Sequence, residues 1–113
     1  LLLVVAEGDK VVGYVDVLSF RPRRMAHAVW LQMGVLLDRR QQGIGGALLE
    51  SVLDWARAHP AIEKVCLGVF ATNAAALALN RRLGFEEEGR SVRTFRLGPG
   101  RYVDNVEMYR FVK

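Results

Sequence analysis

Apolar and polar positions change rhythm several times along this chain. Residues 1–6 are a short apolar run closed by Glu7-Gly8-Asp9-Lys10, a turn signal, and residues 11–20 follow as a second β-rich run. The pair predicts a hairpin. Residues 21–24, with Pro22, predict a loop. From His27 the pattern alternates, with His27, Val29, Leu31, Met33 and Val35 on one face and Ala28, Trp30, Gln32 and Gly34 on the other. After polar residues 38–42 and the glycine-rich Gly43-Ile44-Gly45-Gly46, apolar side chains recur at helical spacing through Ile44, Leu48, Val52 and Trp55. This helix is expected to end near Ala58, because Pro60 cannot continue it. Lys64–Phe70 predicts a strand of the buried parallel type. Thr72 or Asn73 caps a second helix over 74–83, and Gly84 closes it. A β-like stretch opens at Phe85, turns at Gly98-Pro99-Gly100 and returns as a last strand over 102–112. The predicted order is β-β-β-α-β-α-β-β, an α/β class with a mixed sheet and helices packed on it.

Composition narrows the function classes. With 113 residues the chain is long enough for a single domain, expected to span 1–113. Its 51% apolar and 25% charged residues are those of a globular protein and argue against disorder along its whole length. The longest apolar candidate, 65–79, is broken by Gly68, Thr72 and Asn73, so no run reaches the roughly 18 residues of a spanning helix and no membrane partner is expected. One cysteine, Cys66, can neither form an internal disulfide nor build a zinc site alone. It reads as a small core side chain; no metal is expected, and the cytoplasm is the expected location. The net charge is +4, yet the cations are scattered, and the densest group, Arg21, Arg23 and Arg24, lies in a loop with no interleaved aromatics. No nucleic-acid partner is expected. The chain begins Leu1-Leu2-Leu3-Val4-Val5, inside a strand and without Met. It is therefore expected to be truncated at its N-terminus, with an apolar edge that favours a homodimer.

The chemistry concentrates between Val35 and Leu49, where a strand runs through a glycine-rich turn into a helix. Helix N-termini present unpaired N–H groups and favour negative charge, so this element is expected to bind phosphate or pyrophosphate. A Walker A loop needs Lys-Ser/Thr after its last glycine, and Ala47-Leu48 stand there. A dinucleotide fingerprint needs a third glycine where Leu48 lies. What remains is Arg40-x-x-Gly43-x-Gly45.

That pattern resembles the GCN5-related N-acetyltransferase (GNAT) family, in which the same loop holds the pyrophosphate of acetyl-CoA. The second half of the chain is similar to the family's second signature, through Leu67-x-Val69, Asn73, Ala76, Leu79, Leu83-Gly84-Phe85 and Glu88-Gly89. Tyr102-Val103-Asp104 with Met108 resembles the final strand of bacterial members that acetylate amino acids and small amines. The resemblance covers 1–113 and implies a mostly antiparallel sheet, with the family's first strand and two helices absent. It implies acetyl-CoA as co-substrate, held by Arg40, Gln41, Gln42, Gly43, Ile44, Gly45 and Gly46. It also implies that Met33, Gly34 and Val35 meet the pantetheine arm like an added strand, at a splay between the strand ending at Val35 and the one around Leu67, and that Asn73 reaches the arm. The implied function is transfer of an acetyl group to a primary amine, expected to be that of an amino acid. The alternatives are a protein N-terminus or lysine as acceptor, or a CoA-binding module with little turnover.

The catalytic groups depart from the family pattern. Four residues before Gly84, where the family often carries a tyrosine acid, stands Asn80. No Asp or Glu lies between Val17 and Leu37 to serve as base. The remaining candidates are the Val35 backbone as an oxyanion donor, Gln32 to orient a water, His27 as a titrating group, and Tyr102, Tyr109 or Asp104 on the last strand.

Overall fold

Each predicted run forms its element in the computed structural model, which describes residues 1–20 and 22–113. Arg21, one of the three clustered loop arginines, lies outside the described residues. The strands are β1 (Leu2–Glu7), β2 (Lys10–Ser19), β3 (Ala28–Val35), β4 (Lys64–Phe70), β5 (Glu86–Gly98) and β6 (Arg101–Phe111). The helices are α1 (Ile44–Ala58) and α2 (Ala74–Arg82), and single 3-10 turns occupy Arg23–Met25 and Leu37–Arg39. Their order along the chain is the predicted one. The chain divides into two compact units, Leu1–Val65 with Phe111–Lys113, and Cys66–Arg110.

In the first unit β1, β2 and β3 are antiparallel neighbours, with Leu3 opposite Val15 and Val15 opposite Met33. The face carrying Val15 and Val17 is covered by α1. Gly13 permits the close approach: a Cβ there would lie 2.9 Å from Ile44 Cγ2 and 3.4 Å from Leu48 Cδ1. Leu48, Leu49, Val52, Leu53 and Ala56 of α1 are buried, together with Val29 and Leu31 of β3. Burying each large apolar side chain contributes about 1.5–3 kcal/mol, so this stripe, rather than helix propensity, holds α1 in place. Beyond the far end of α1 the Lys113 ammonium donates to the carbonyls of Ala56, His59 and Ile62, which ties the C-terminus to the turn that follows the helix. The alternating face of β3 does not stay buried to its end. Met33 shares a face with Val29 and Leu31, yet it is 36% exposed.

In the second unit β6 lies between β4 and β5, and β5 and β6 form an antiparallel hairpin. Its turn carries Gly100 at φ +69°. One face bears Met108, whose Sδ accepts from Asn80 Nδ2 of α2 at 3.7 Å. The opposite face bears Asn105, which packs directly over Gly68. The expectation of a continuously buried β4 needs correction: Val65, Cys66 and Leu67 are buried, but Gly68 and Phe70 are exposed. Among the described residues no helix is long and apolar enough to cross a membrane.

Candidate functional site

The glycine-rich segment follows β3 without a side-chain cap. Gly43 sits at the N-cap position of α1 in the left-handed region, at φ +84° and ψ 0°, and no side chain caps the helix there. Ala47 N–H reaches the Gly43 carbonyl at 3.0 Å, so the N–H groups of Ile44, Gly45 and Gly46, which precede it, have no acceptor one helical turn back. A Cβ on Gly43 would meet nothing within 4 Å. Glycine is needed here for its φ, and the space in front of the turn stays open. Gln41 is also left-handed, at φ +60°, a sparsely populated conformation for a residue with a side chain. Two left-handed residues, separated by Gln42, thus lead into the first turn of α1.

The loop is braced from two sides within the first unit. Arg39 forms a forked ion pair with Glu7 at the end of β1, with Nε 3.0 Å and 3.1 Å from the two carboxylate oxygens and Nη2 at 3.0 Å. The Arg39 hydrogen bond holds the Glu7 carboxyl below its usual range, and Glu7 in turn raises Arg39. Arg40 folds back to donate Nε to the Val35 carbonyl at 3.2 Å. Its guanidinium is exposed, and its two Nη groups make no hydrogen bond among the described residues.

Strand register decides which backbone groups β3 can offer. Leu36 N–H donates to the Val12 carbonyl at 2.9 Å. Bonded and unbonded pairs alternate along an antiparallel ladder. With Gly13 opposite Val35, Tyr14 opposite Gly34 and Val15 opposite Met33, the N–H and C=O of Gly34 therefore face Tyr14, whereas those of Met33 and Val35 turn away from β2. Gly34 is glycine for another reason than ligand approach: a Cβ there would lie 2.7 Å from Tyr14 Cε1. The tyrosine ring lies across it. Of the three residues predicted to meet an added strand, Met33 and Val35 turn their backbone groups away from β2, the Val35 carbonyl accepting from Arg40, and Gly34 turns its own toward Tyr14.

The remaining predicted residues are distributed as follows. Asn73 caps α2 by accepting from Ala76 N–H at 3.1 Å, which leaves its amide donors for other use. Asn80 is 3% exposed, and its Oδ1 has no hydrogen-bond partner. His27 precedes β3, and its carbonyl accepts from Glu63 and Lys64 N–H at 2.8 Å and 3.1 Å. It stands eight residues from Val35, about 26 Å along an extended strand at ~3.3 Å per residue. Tyr102 is 47% exposed, with the Arg93 guanidinium 5.7 Å from its ring centroid. Gln32 is exposed and lies opposite Asp16 of β2. Asp16 stands one position before the carboxylate-free stretch, so nothing in the sequence links it to Gln32; strand pairing makes the two neighbours.

Asp104 clamps three groups. Its Oδ1 accepts from Arg93 N–H at 2.8 Å, its Oδ2 from Arg90 Nε at 2.8 Å, and its carbonyl from Ala71 N–H at 3.0 Å. The Arg93 N–H first, then Arg90, holds its carboxyl below the usual range. Arg93 is left-handed at φ +53°, in a bulge where β5 spends five residues, from Ser91 to Phe95, against three of β6, from Asn105 to Val103. Among the described residues no group of three or more His, Cys, Asp or Glu side chains is placed to hold a metal.

The chain is similar to known proteins in sequence and in fold. The sequence pattern of the Acetyltransferase (GNAT) family matches residues 1–85. L-amino acid N-acetyltransferase AaaT of Escherichia coli is 31% identical over 112 residues, which is 96% of this chain and 66% of that protein. L-methionine sulfoximine/L-methionine sulfone acetyltransferase of Pseudomonas paraeruginosa is 32% identical over 85 residues, 71% of this chain and 46% of that protein. The crystal structure of the acetyltransferase of GNAT family from Streptococcus pneumoniae matches with a TM-score of 0.90 at 26% identity, over 97% of this chain and 66% of that one. The chain thus spans 66% and 46% of the length of these two curated relatives.

Proposed function

Because the chain belongs to the GNAT acetyltransferase family, we propose that it transfers the acetyl group of acetyl-CoA to the primary amine of a small molecule, an amino acid. The observation that carries this reading is the uncapped first turn of α1 behind left-handed Gly43. Its unpaired N–H groups and the helix dipole suit a pyrophosphate, and the Arg40 Nη donors add charge beside them. The Met33 backbone and the Val35 N–H turn away from β2 and suit the amides of an extended pantetheine arm. The Asn73 amide donors suit the same arm. The amino-acid acceptor is supported by the two curated relatives, whose names specify amino-acid substrates.

Acetyl-CoA supplies an activated thioester whose thiolate is a fair leaving group. The residues then have three tasks: to hold the thioester, to bring the amine to it and to stabilise the oxyanion. The Val35 N–H suits the last task. Asn80 cannot act as a general acid, since a buried amide carries no proton that titrates near neutrality. Positioning therefore carries most of the rate, and the pairing of Asp16 with Gln32 offers a carboxylate to a water that takes the amine proton.

The test is calorimetric titration with CoA, followed by thiol release from acetyl-CoA over a panel of L-amino acids. Saturable CoA binding and acetylation of panel members are expected. Absence of CoA binding would overturn the reading. Turnover on peptide N-termini, with none on the panel, would move the acceptor to proteins.

A further inference from the structure

Two residues take the glycine-rich loop through left-handed backbone, Gln41 and Gly43, and the first carries a full side chain. Gln41 holds φ +60° and is exposed, so burial of its side chain does not fix it there. Such a conformation costs an L-residue free energy and persists where its surroundings over-determine it. Here the two residues before Gln41 are both tied down. Arg40 donates Nε to the Val35 carbonyl at 3.2 Å. Arg39 is gripped by Glu7, 32 residues earlier, through contacts of 3.0 Å, 3.1 Å and 3.0 Å. Glu7 closes β1 and pairs with Lys10, the first residue of β2. The same hairpin holds the entry to the loop, where Leu36 N–H donates to the Val12 carbonyl at 2.9 Å. The β1–β2 hairpin thus fixes this segment at Leu36 and again at Arg39, and residues 40–43 span from there to the first turn of α1.

By charge alone Glu7 is a poor neighbour for this loop. Its carboxylate repels the phosphates that the loop is read as holding, and it occupies a guanidinium that could attract them. Asp38 adds a second carboxylate, with Oδ2 3.2 Å from Arg39 Nη1, but it is adjacent in the chain and ties the loop to no other strand. Repulsion and positioning therefore predict opposite signs. Removing the Glu7 carboxylate tightens the binding of an anion if charge dominates, and weakens it if the brace does. We propose that Glu7 is a positioning residue for the loop, which it holds through Arg39 so that Gln41 stays left-handed and the N–H groups of Ile44, Gly45 and Gly46 are set in place for pyrophosphate. The proposal rests on the reading of this loop as the CoA site. Glu7 touches no ligand; it raises the fraction of chains whose loop is ready to bind, and apparent affinity scales with that fraction. An exposed ion pair shifts such an equilibrium by at most about fivefold. The repulsion, screened by water and salt, offsets part of this, which leaves a net effect of about threefold.

The experiment is calorimetric titration of the full chain with CoA at fixed ionic strength. Glu7→Ala should weaken binding about threefold although it removes a negative charge. With Arg39→Ala already in place the same substitution should leave affinity unchanged or tighten it, since the brace is gone and the repulsion alone remains. With Gln41→Gly in place its effect should shrink, because glycine takes a positive φ without strain. Nitrogen-15 spectra of the chain without CoA give a second readout. Glu7→Ala should move the amide signals of Gln41, Ile44, Gly45 and Gly46 and leave those of Leu49 and Val52 in place, whereas a general loss of structure would move them all. Unchanged or tighter CoA binding in Glu7→Ala, an equal loss in the Arg39→Ala background, or unmoved signals at Ile44, Gly45 and Gly46 would each overturn the proposal; saturable CoA binding by the parent would then keep the acetyl-transfer reading standing. A parent that binds no CoA would strike both.

Discussion

Replacing Gly43 by alanine separates the cost of the turn from its use. Gly43 holds φ +84°, and a Cβ there would meet nothing within 4 Å, so the substitution adds conformational strain and no clash. A left-handed conformation costs an L-residue roughly 1–2 kcal/mol. Stiffening the unfolded chain returns roughly 0.4–1 kcal/mol of that. The net loss of stability should be about 1 kcal/mol. Gly100, at φ +69° in the β5–β6 turn, also has nothing within 4 Å of its Cβ site. Gly100→Ala should therefore lose about the same, which makes it a matched control. Only at Gly43 does relaxation of φ turn the N–H groups that open α1. Gly43→Ala should also weaken CoA binding about tenfold, the equivalent of ~1.4 kcal/mol, and Gly100→Ala should not. Urea unfolding followed by tryptophan fluorescence gives the first quantity, and calorimetric titration with CoA gives the second. Equal stability losses with unchanged CoA affinity in both variants would refute the phosphate loop. No stability loss at Gly43 would refute its left-handed geometry.

Three further outcomes are expected. Gly45→Glu places a bulky anion in the first turn of α1 and should abolish CoA binding in the same calorimeter, whereas unchanged affinity would contradict the loop assignment. Asn80→Ala should leave turnover within a few-fold of the parent; a loss of about 100-fold, the scale of a missing acid or base, would show a direct role for this buried amide. Asp104→Asn removes a carboxylate whose folded pKa lies below its unfolded value. Its stabilisation is present at neutral pH and fades as pH falls through the carboxylate range, so the stability gap between parent and variant should close on acidification. A gap independent of pH would mean that the charge of Asp104 plays no part.

Local signals made much of this fold readable. The turn at Glu7–Lys10, the helical spacing of Leu48 and Val52, Pro60 and the cap–glycine pair Asn73 and Gly84 each act over a few residues, and the elements formed where they point. The start of α1 was equally legible, because Gly43 and Gly45 must stand together in sequence to make such a turn. Pairing across strands was not. That Tyr14 lies over Gly34, that Asp16 faces Gln32, and that Asn105 covers Gly68 depends on register, which a single sequence leaves open. The same gap explains Asp104. In sequence it is one more carboxylate on the last strand; only its place between β4 and the bulged β5 reveals its three partners.

Asp104 also sets how this region opens. Its side chain holds the Arg93 amide in the β5 bulge, and its carbonyl holds the Ala71 amide just ahead of α2. These amides are 22 residues apart in sequence, yet both lose their acceptor when β6 lifts at a single residue. Hydrogen exchange at the two positions should therefore follow one opening event, with matched protection that changes together when β6 is strained. A disturbance in the β5–β6 hairpin is then felt at the cap of α2 through the balance of one local unfolding equilibrium, without any movement of rigid elements past each other.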